Sequence, residues 1–172
     1  MMTFTRNYVT LMVICALVLC IPSQGCPQQM TFGQSWLNQT LEGEKLPNIL
    51  ATDFSFQLES PDAGATYRAR LHNDDLIWQR LEVGPRYGNI QAFYSLDLIN
   101  EMCLSGGGLC FKPLYGNGRS VELKSGLYDR GYCFEGVCAV ELSGISGRLG
   151  YEYRKLGDLR WWGPSVSLGV TW

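Results

Sequence analysis

Three stretches near the C-terminus, Val137–Leu142, Arg148–Tyr153 and Ser165–Trp172, alternate strictly between large apolar and small or polar side chains. A repeat of two is the mark of a strand, because successive side chains point to opposite faces of a sheet. Gly-containing turns separate the three stretches, so three consecutive antiparallel strands are the economical reading. Few other arrangements accommodate so strict a period.

The same pattern runs back through the chain. Phe54, Phe56 and Leu58 alternate with Ser55 and Gln57, the run Ser60-Pro61-Asp62-Ala63-Gly64 turns, and Tyr67, Ala69 and Leu71 then alternate with Arg68 and Arg70. This predicts a hairpin with a buried apolar face and a wet polar face. A further strand is expected over Leu76–Val83, ended by Gly84-Pro85, and Gly88-Asn89 opens another over Ile90–Leu96. Over 95–102 a short helix capped by Ser95 competes with strand. The glycines at 106–108 and 116–118 bracket a stretch read as loop. With about eight to ten short strands the class is all-β, a small antiparallel sandwich or closed barrel.

The first 25 residues are set apart. Arg6 is the single charge, Val9–Ile21 is apolar except for Thr10, and Ser23-Gln24-Gly25 supplies small residues for cleavage. This is the pattern of a secretory signal peptide, with an apolar run shorter than the ~20 residues a spanning helix needs. No later stretch is a transmembrane-helix candidate. Residues 26–48 are polar and without period, a segment expected to wrap the domain, and 49–172 is expected to be a single all-β domain. Asn38-Gln39-Thr40 is a glycosylation sequon, usable in an exported eukaryotic chain.

Export also sets the expectation for cysteine. In an oxidising compartment Cys103, Cys110, Cys133 and Cys138 should form two disulfides. Sequence leaves three pairings open, and the short spacing of Cys133 and Cys138 makes that pair the favoured one. Cys26 is then the odd thiol, a candidate for an intermolecular bridge or for lipidation. Zinc binding would need closer cysteine pairs or additional histidines.

Motifs of chemistry are scarce. The chain of 172 residues carries 14 Lys+Arg against 16 Asp+Glu and has a pI near 5.4, which gives no basic footprint for nucleic acid. Its one histidine, His72, stands beside Asn73 and Asp74 and reads as a turn residue. No G-x-S-x-G elbow accompanies it, and the triple glycine lacks the Lys-Ser/Thr of a phosphate cradle. Asp74-Asp75 reads as an Asx-rich turn in preference to a calcium site. No cofactor or metal is expected. One cluster stands out: Tyr151, Tyr153, Arg154, Lys155, Arg160, Trp161 and Trp162. In an extended chain the two tryptophans face opposite ways, leaving one exposed as a candidate ligand-binding residue beside Arg160, Tyr151 and Tyr153.

The Cys26-Pro27 pair after the leader, and Tyr94-Ser95-Leu96-Asp97 ahead of Cys103, are similar over a few residues to ependymin-related secreted proteins. That resemblance implies a curved antiparallel sheet enclosing an apolar ligand, and it carries no site residue over. The leading expectation is therefore a secreted, disulfide-bonded, β-rich binding protein that recognises an extracellular protein, a glycan or a small apolar ligand. The alternative is a bacterial outer-membrane β-barrel, suggested by an alternating last strand that ends on Trp172, or a surface lipoprotein. A secreted hydrolase using paired carboxylates ranks last.

Overall fold

The computed structural model describes residues 28–73, 75–99 and 102–172. The expected leader and Cys26 lie outside these residues. Ten strands follow one another: β1 (Gln28–Leu41), β2 (Glu44–Glu59), β3 (Ala63–His72), β4 (Asp75–Tyr87), β5 (Ile90–Ile99), β6 (Met102–Gly116), β7 (Arg119–Tyr128), β8 (Gly131–Leu142), β9 (Ile145–Leu156) and β10 (Leu159–Thr171). Each pairs antiparallel with its neighbours in sequence, and β1 closes on β10. The result is the closed barrel of the two architectures expected. Closure removes the unpaired edges that an open sheet would offer to other chains.

The strands are long, 10 to 16 residues, where short ones were expected. The connections explain how so much chain can be strand. They are two residues each, save three between β2 and β3. At Asn117-Gly118 and Ser143-Gly144 both turn residues have positive φ, the backbone that tight hairpins with right-twisted strands require.

Three further expectations need correction. Residues 28–48 do not wrap the domain: they form β1 and the start of β2, and β1 is the strand that closes the barrel. The helix considered over 95–102 does not form, because Ser95–Ile99 continues the regular pairing of β5 with β6 and alternates in and out of the barrel. Gly106–Gly108 is no loop but the middle of β6, paired on both sides.

Those glycines are there for close approach. A Cβ on Gly108 would stand 2.0 Å from the Ser125 carbonyl oxygen and 2.7 Å from the Phe93 ring, which fills the lumen at that level. We expect Gly108→Val to destabilise the barrel by about 1–3 kcal/mol, the usual cost of overpacking. Gly136→Ala, whose Cβ would meet nothing nearer than Leu123 Cδ2 at 3.6 Å, should leave the urea unfolding midpoint unchanged.

Candidate functional site: the lumen and the outer wall

Alternation along each strand sorts side chains into two sets, and the sets are inverted relative to a water-soluble protein. Outward on β9 and β10 stand Ile145, Leu149, Tyr151, Val166, Leu168, Val170 and Trp172, with Leu149 63% and Leu168 68% exposed. Leu81, Val83, Tyr94, Leu96, Leu98, Leu109, Phe111, Leu123 and Leu127 continue this wall around the barrel. Arg68 and Arg70, expected on the wet face of a hairpin, instead point inward, and Phe54 and Leu58 share the outward face of β2 with Phe56. Among the described residues, the strand acids face the lumen or its mouths. The charges that the register puts on the outer wall are Lys45, Lys155 and Arg160 at one rim and Arg119 at the other.

Most of the remaining strand charges form two chains of ion pairs in the lumen. In the first, Arg70 Nε meets Asp53 Oδ1 at 2.6 Å and Arg70 Nη1 meets Glu152 Oε1 at 2.5 Å. Arg154 then joins Glu152 at 2.8 Å to Glu135 at 3.3 Å, and Glu135 pairs with Arg68. In the second, Arg80 binds Asp97 at 2.9 Å and Glu82 at 3.0 Å, and Glu82 takes Lys124 at 2.7 Å. Glu122 lies 3.8 Å from Lys124 and 3.7 Å from Lys112, whose ammonium reaches Glu59 at 2.5 Å; Glu59 also holds Arg86 at 2.9 Å. Buried charge is tolerated only when paired, and each of the five glutamates here bridges two cations, while Asp53 and Asp97 each hold one arginine.

Trp78 ties the two chains together. The guanidinium carbons of Arg70, Arg80 and Arg154 lie 5.2, 5.3 and 4.8 Å from its ring centroid. Its indole N–H donates to Asp97 Oδ1 at 2.6 Å, so one side chain serves as a cation–π platform and as an anion's donor. Beyond Trp78, toward the rim that carries the β1–β2 and β9–β10 hairpins, the lumen becomes apolar. Leu37, Ala51, Ile99, Leu104, Leu156 and Trp161 pack there and cap it. At the opposite end a cavity of about 240 Å³ is lined by Gln29, Glu59, Lys112, Glu122, Arg148 and Thr171 among others.

The sequence-predicted residues fall on both sides of the wall. Trp161 is buried in the cap, edge-on to Trp78 at 6.1 Å, while Trp162 faces outward and stacks on Tyr153 at 6.4 Å. Tyr153 stacks in turn on Tyr132 at 5.9 Å. Arg160 and Tyr151 share that outer face, so the cluster minus Trp161 and Arg154 is brought together. His72 ends β3, with Nδ1 2.9 Å from the Leu50 carbonyl oxygen. Asn38 is not on a surface loop: it sits within β1 and its side-chain amide donates to the Trp162 carbonyl at 3.4 Å.

The disulfide expectations are overturned. Cys103, Cys110, Cys133 and Cys138 are all free. Cys133 and Cys138 lie five residues apart on the single strand β8, Cys133 buried and Cys138 exposed, so their side chains leave opposite faces. Five strand residues span about 16 Å, far beyond the Cα separation a disulfide permits. Cys103 and Cys110 are separated in the same way along β6. The curved sheet around an apolar ligand does not form either, because the lumen is charged.

No protein-family model matches the sequence, and no curated protein does. Among solved structures the chain is similar to Ail, the attachment invasion locus protein of Yersinia pestis, in complex with the heparin analogue sucrose octasulfate. The likeness has 13% identity, 87% of this chain and 100% of that one covered, and a TM-score of 0.47. It is also similar to the translocator domain of the autotransporter NalP from Neisseria meningitidis, with 8% identity, coverage of 97% and 96%, and a TM-score of 0.47. Neisserial surface protein A gives 10% identity, coverage of 86% and 97%, and a TM-score of 0.40. These are likenesses of barrel shape.

Removing one partner from a buried ion pair leaves the other charge stranded. Glu152→Gln should therefore cost about 3 kcal/mol in urea unfolding. Trp161→Ala, which empties part of the cap, should cost about 3–5 kcal/mol, while Trp162→Ala on the outer wall should lose only about 1 kcal/mol of stacking.

Proposed function

We propose that the chain is a bacterial outer-membrane β-barrel whose lumen is sealed, serving as a membrane-embedded body and not as an open pore. One observation carries the reading: the outward positions of the ten strands form an apolar band without charge between the two rims, while the paired charges are turned inward. In water such a band far exceeds the apolar patch a soluble monomer tolerates, whereas in lipid it is the required surface. Strands of 10 residues or more reach across a bilayer at the usual tilt. The aromatic side chains Tyr153, Trp162 and Trp172 lie toward the rims, where amphipathic rings favour the interface. A closed barrel also meets the demand that every backbone group be satisfied within the membrane.

The sealed lumen follows from its contents. An ion crossing it would have to pass the apolar cap around Leu37, Leu156 and Trp161 and displace Arg80 from Asp97, both fully buried. The expectation of a secreted, disulfide-linked binding module finds no support, since its water-facing wall and its disulfides are both missing among the described residues.

The test is folding into lipid. Purified chain refolded with phosphatidylcholine vesicles should migrate faster on an SDS gel unboiled than boiled, and should give no liposome swelling with small sugars. Leu149→Arg, in the middle of the band, should destabilise the inserted barrel by about 2–4 kcal/mol, while Leu142→Arg near a rim should cost about 0–1 kcal/mol. A chain that stays monomeric in water without detergent and shows no gel shift would overturn the reading.

A further inference from the structure

Backbone pairing aligns Lys45 of β2 with Thr40 of β1, Thr40 with Arg160 of β10, and Arg160 with Lys155 of β9. Paired residues share a face, and Arg160 stands on the same face as Trp162, the outer one. The three cations therefore form a row across four adjacent strands on the outer wall at one rim. None of them makes an ion pair among the described residues, and none is in the lumenal network. Of the acids nearest along the chain, Glu42 and Asp158 are in the hairpin turns beyond the row, and Glu44, next to Lys45, pairs with Leu41 on the opposite, lumenal face.

The next outward rung toward the middle of the barrel is aromatic. Trp162 pairs with Tyr153, and Tyr153 with Phe134. Past these the wall is Pro164 and Tyr151, then Val166 and Leu149. A groove at this place is lined by Thr40, Gly43, Tyr153, Arg160 and Trp162. From rim to middle the wall thus reads cation, aromatic, aliphatic. A phospholipid reads phosphate, glycerol ester, acyl chain.

We propose that this strip is a binding site for the phosphate of an anionic lipid headgroup, held by Lys45, Arg160 and Lys155 with the lipid's upper chain against Trp162 and Tyr153. The inference rests on the membrane reading above. Each cation near a charged membrane surface contributes attraction, and the arginine fork matches phosphate oxygens bidentately. Neutral lipid satisfies the aromatic rung alone and gives no net charge to the row.

The experiment uses the full barrel folded in a neutral detergent, with lipid retention counted by native mass spectrometry. Phosphatidylglycerol should be retained at least about tenfold more tightly than phosphatidylcholine of the same chain length. The K45Q/K155Q/R160Q variant should lose that difference, and R119Q, at the other rim, should keep it. Inorganic phosphate, which lacks chains for the aromatic rung, should displace the lipid no better than chloride at equal ionic strength. Equal retention of the two lipids by the wild type, an unchanged preference in the triple variant, or full displacement by inorganic phosphate would each overturn the site. If the triple variant fails the gel-shift test of folding, R160Q and K155Q singly decide it, each expected to weaken phosphatidylglycerol retention about threefold. A wild-type chain that never shows the gel shift defeats the membrane reading itself, whereas a shifted barrel without lipid preference defeats the site alone.

Discussion

Charge neutralisation inside a closed wall is the constraint on which the structure depends. Arg80 and Asp97 are taken wholly out of solvent, Arg154 and Glu152 nearly so, and a lone ion so placed would cost several kcal/mol. The barrel makes the placement possible by bringing together strands far apart in sequence. Glu152 of β9 reaches Arg70 of β3, and Glu59 of β2 reaches Lys112 of β6. The network therefore assembles only when β1 has closed on β10 and the lumen exists. Closure and pairing are mutually dependent, which favours an all-or-none structure over a partly curled sheet.

The apolar exterior is the other half of the same arrangement. Each strand gives alternate residues to each side, so a lumen filled with arginine, lysine and carboxylates obliges the opposite face to take the leucines, valines and aromatics. Ten strands enclose more than apolar side chains of ordinary size would fill, and long charged side chains meeting in pairs span that width. Trp78 adds a flat surface on which three guanidinium groups can gather despite their like charge, because Asp97, Glu152 and Asp53 are within the same shell.

Much of the fold was legible, and the reason for the remainder is physical. The alternation over Arg148–Tyr153 and Ser165–Trp172 located β9 and β10, and the opposite orientation of Trp161 and Trp162 followed from the period alone. Alternation, however, is unchanged when inside and outside are exchanged. Reading Arg68 and Arg70 as solvated assumed water outside, and that assumption inverted the hairpin of β2 and β3. The signal that distinguishes the two was present: charges of both signs recur two residues apart within strands, as in Arg80 and Glu82, Glu122 and Lys124, and Glu152 and Arg154. A solvated face needs no such balance, while a buried one does. The cysteine reading failed for a similar reason, since it took sequence proximity for spatial proximity. In an extended strand an odd separation puts two side chains on opposite sides of the wall. Gly106–Gly108 misled because glycine serves loops and crowded lumens alike, and only the nearness of Phe93 and Ser125 tells them apart.

The hairpins have a consequence for how such a molecule can meet others. Nearly all are two residues long at both ends, so little of the described chain projects past the rims. Among the described residues there are no long loops to carry epitopes, to grip a soluble partner or to be cut by a protease. In the membrane setting proposed above, what the molecule presents is overwhelmingly its flank, a surface seen only by neighbours lying in the same two-dimensional fluid. In that proposed setting encounters would be governed by lateral diffusion and by the composition of the surrounding lipid, and concentration in the water on either side would have little influence on them.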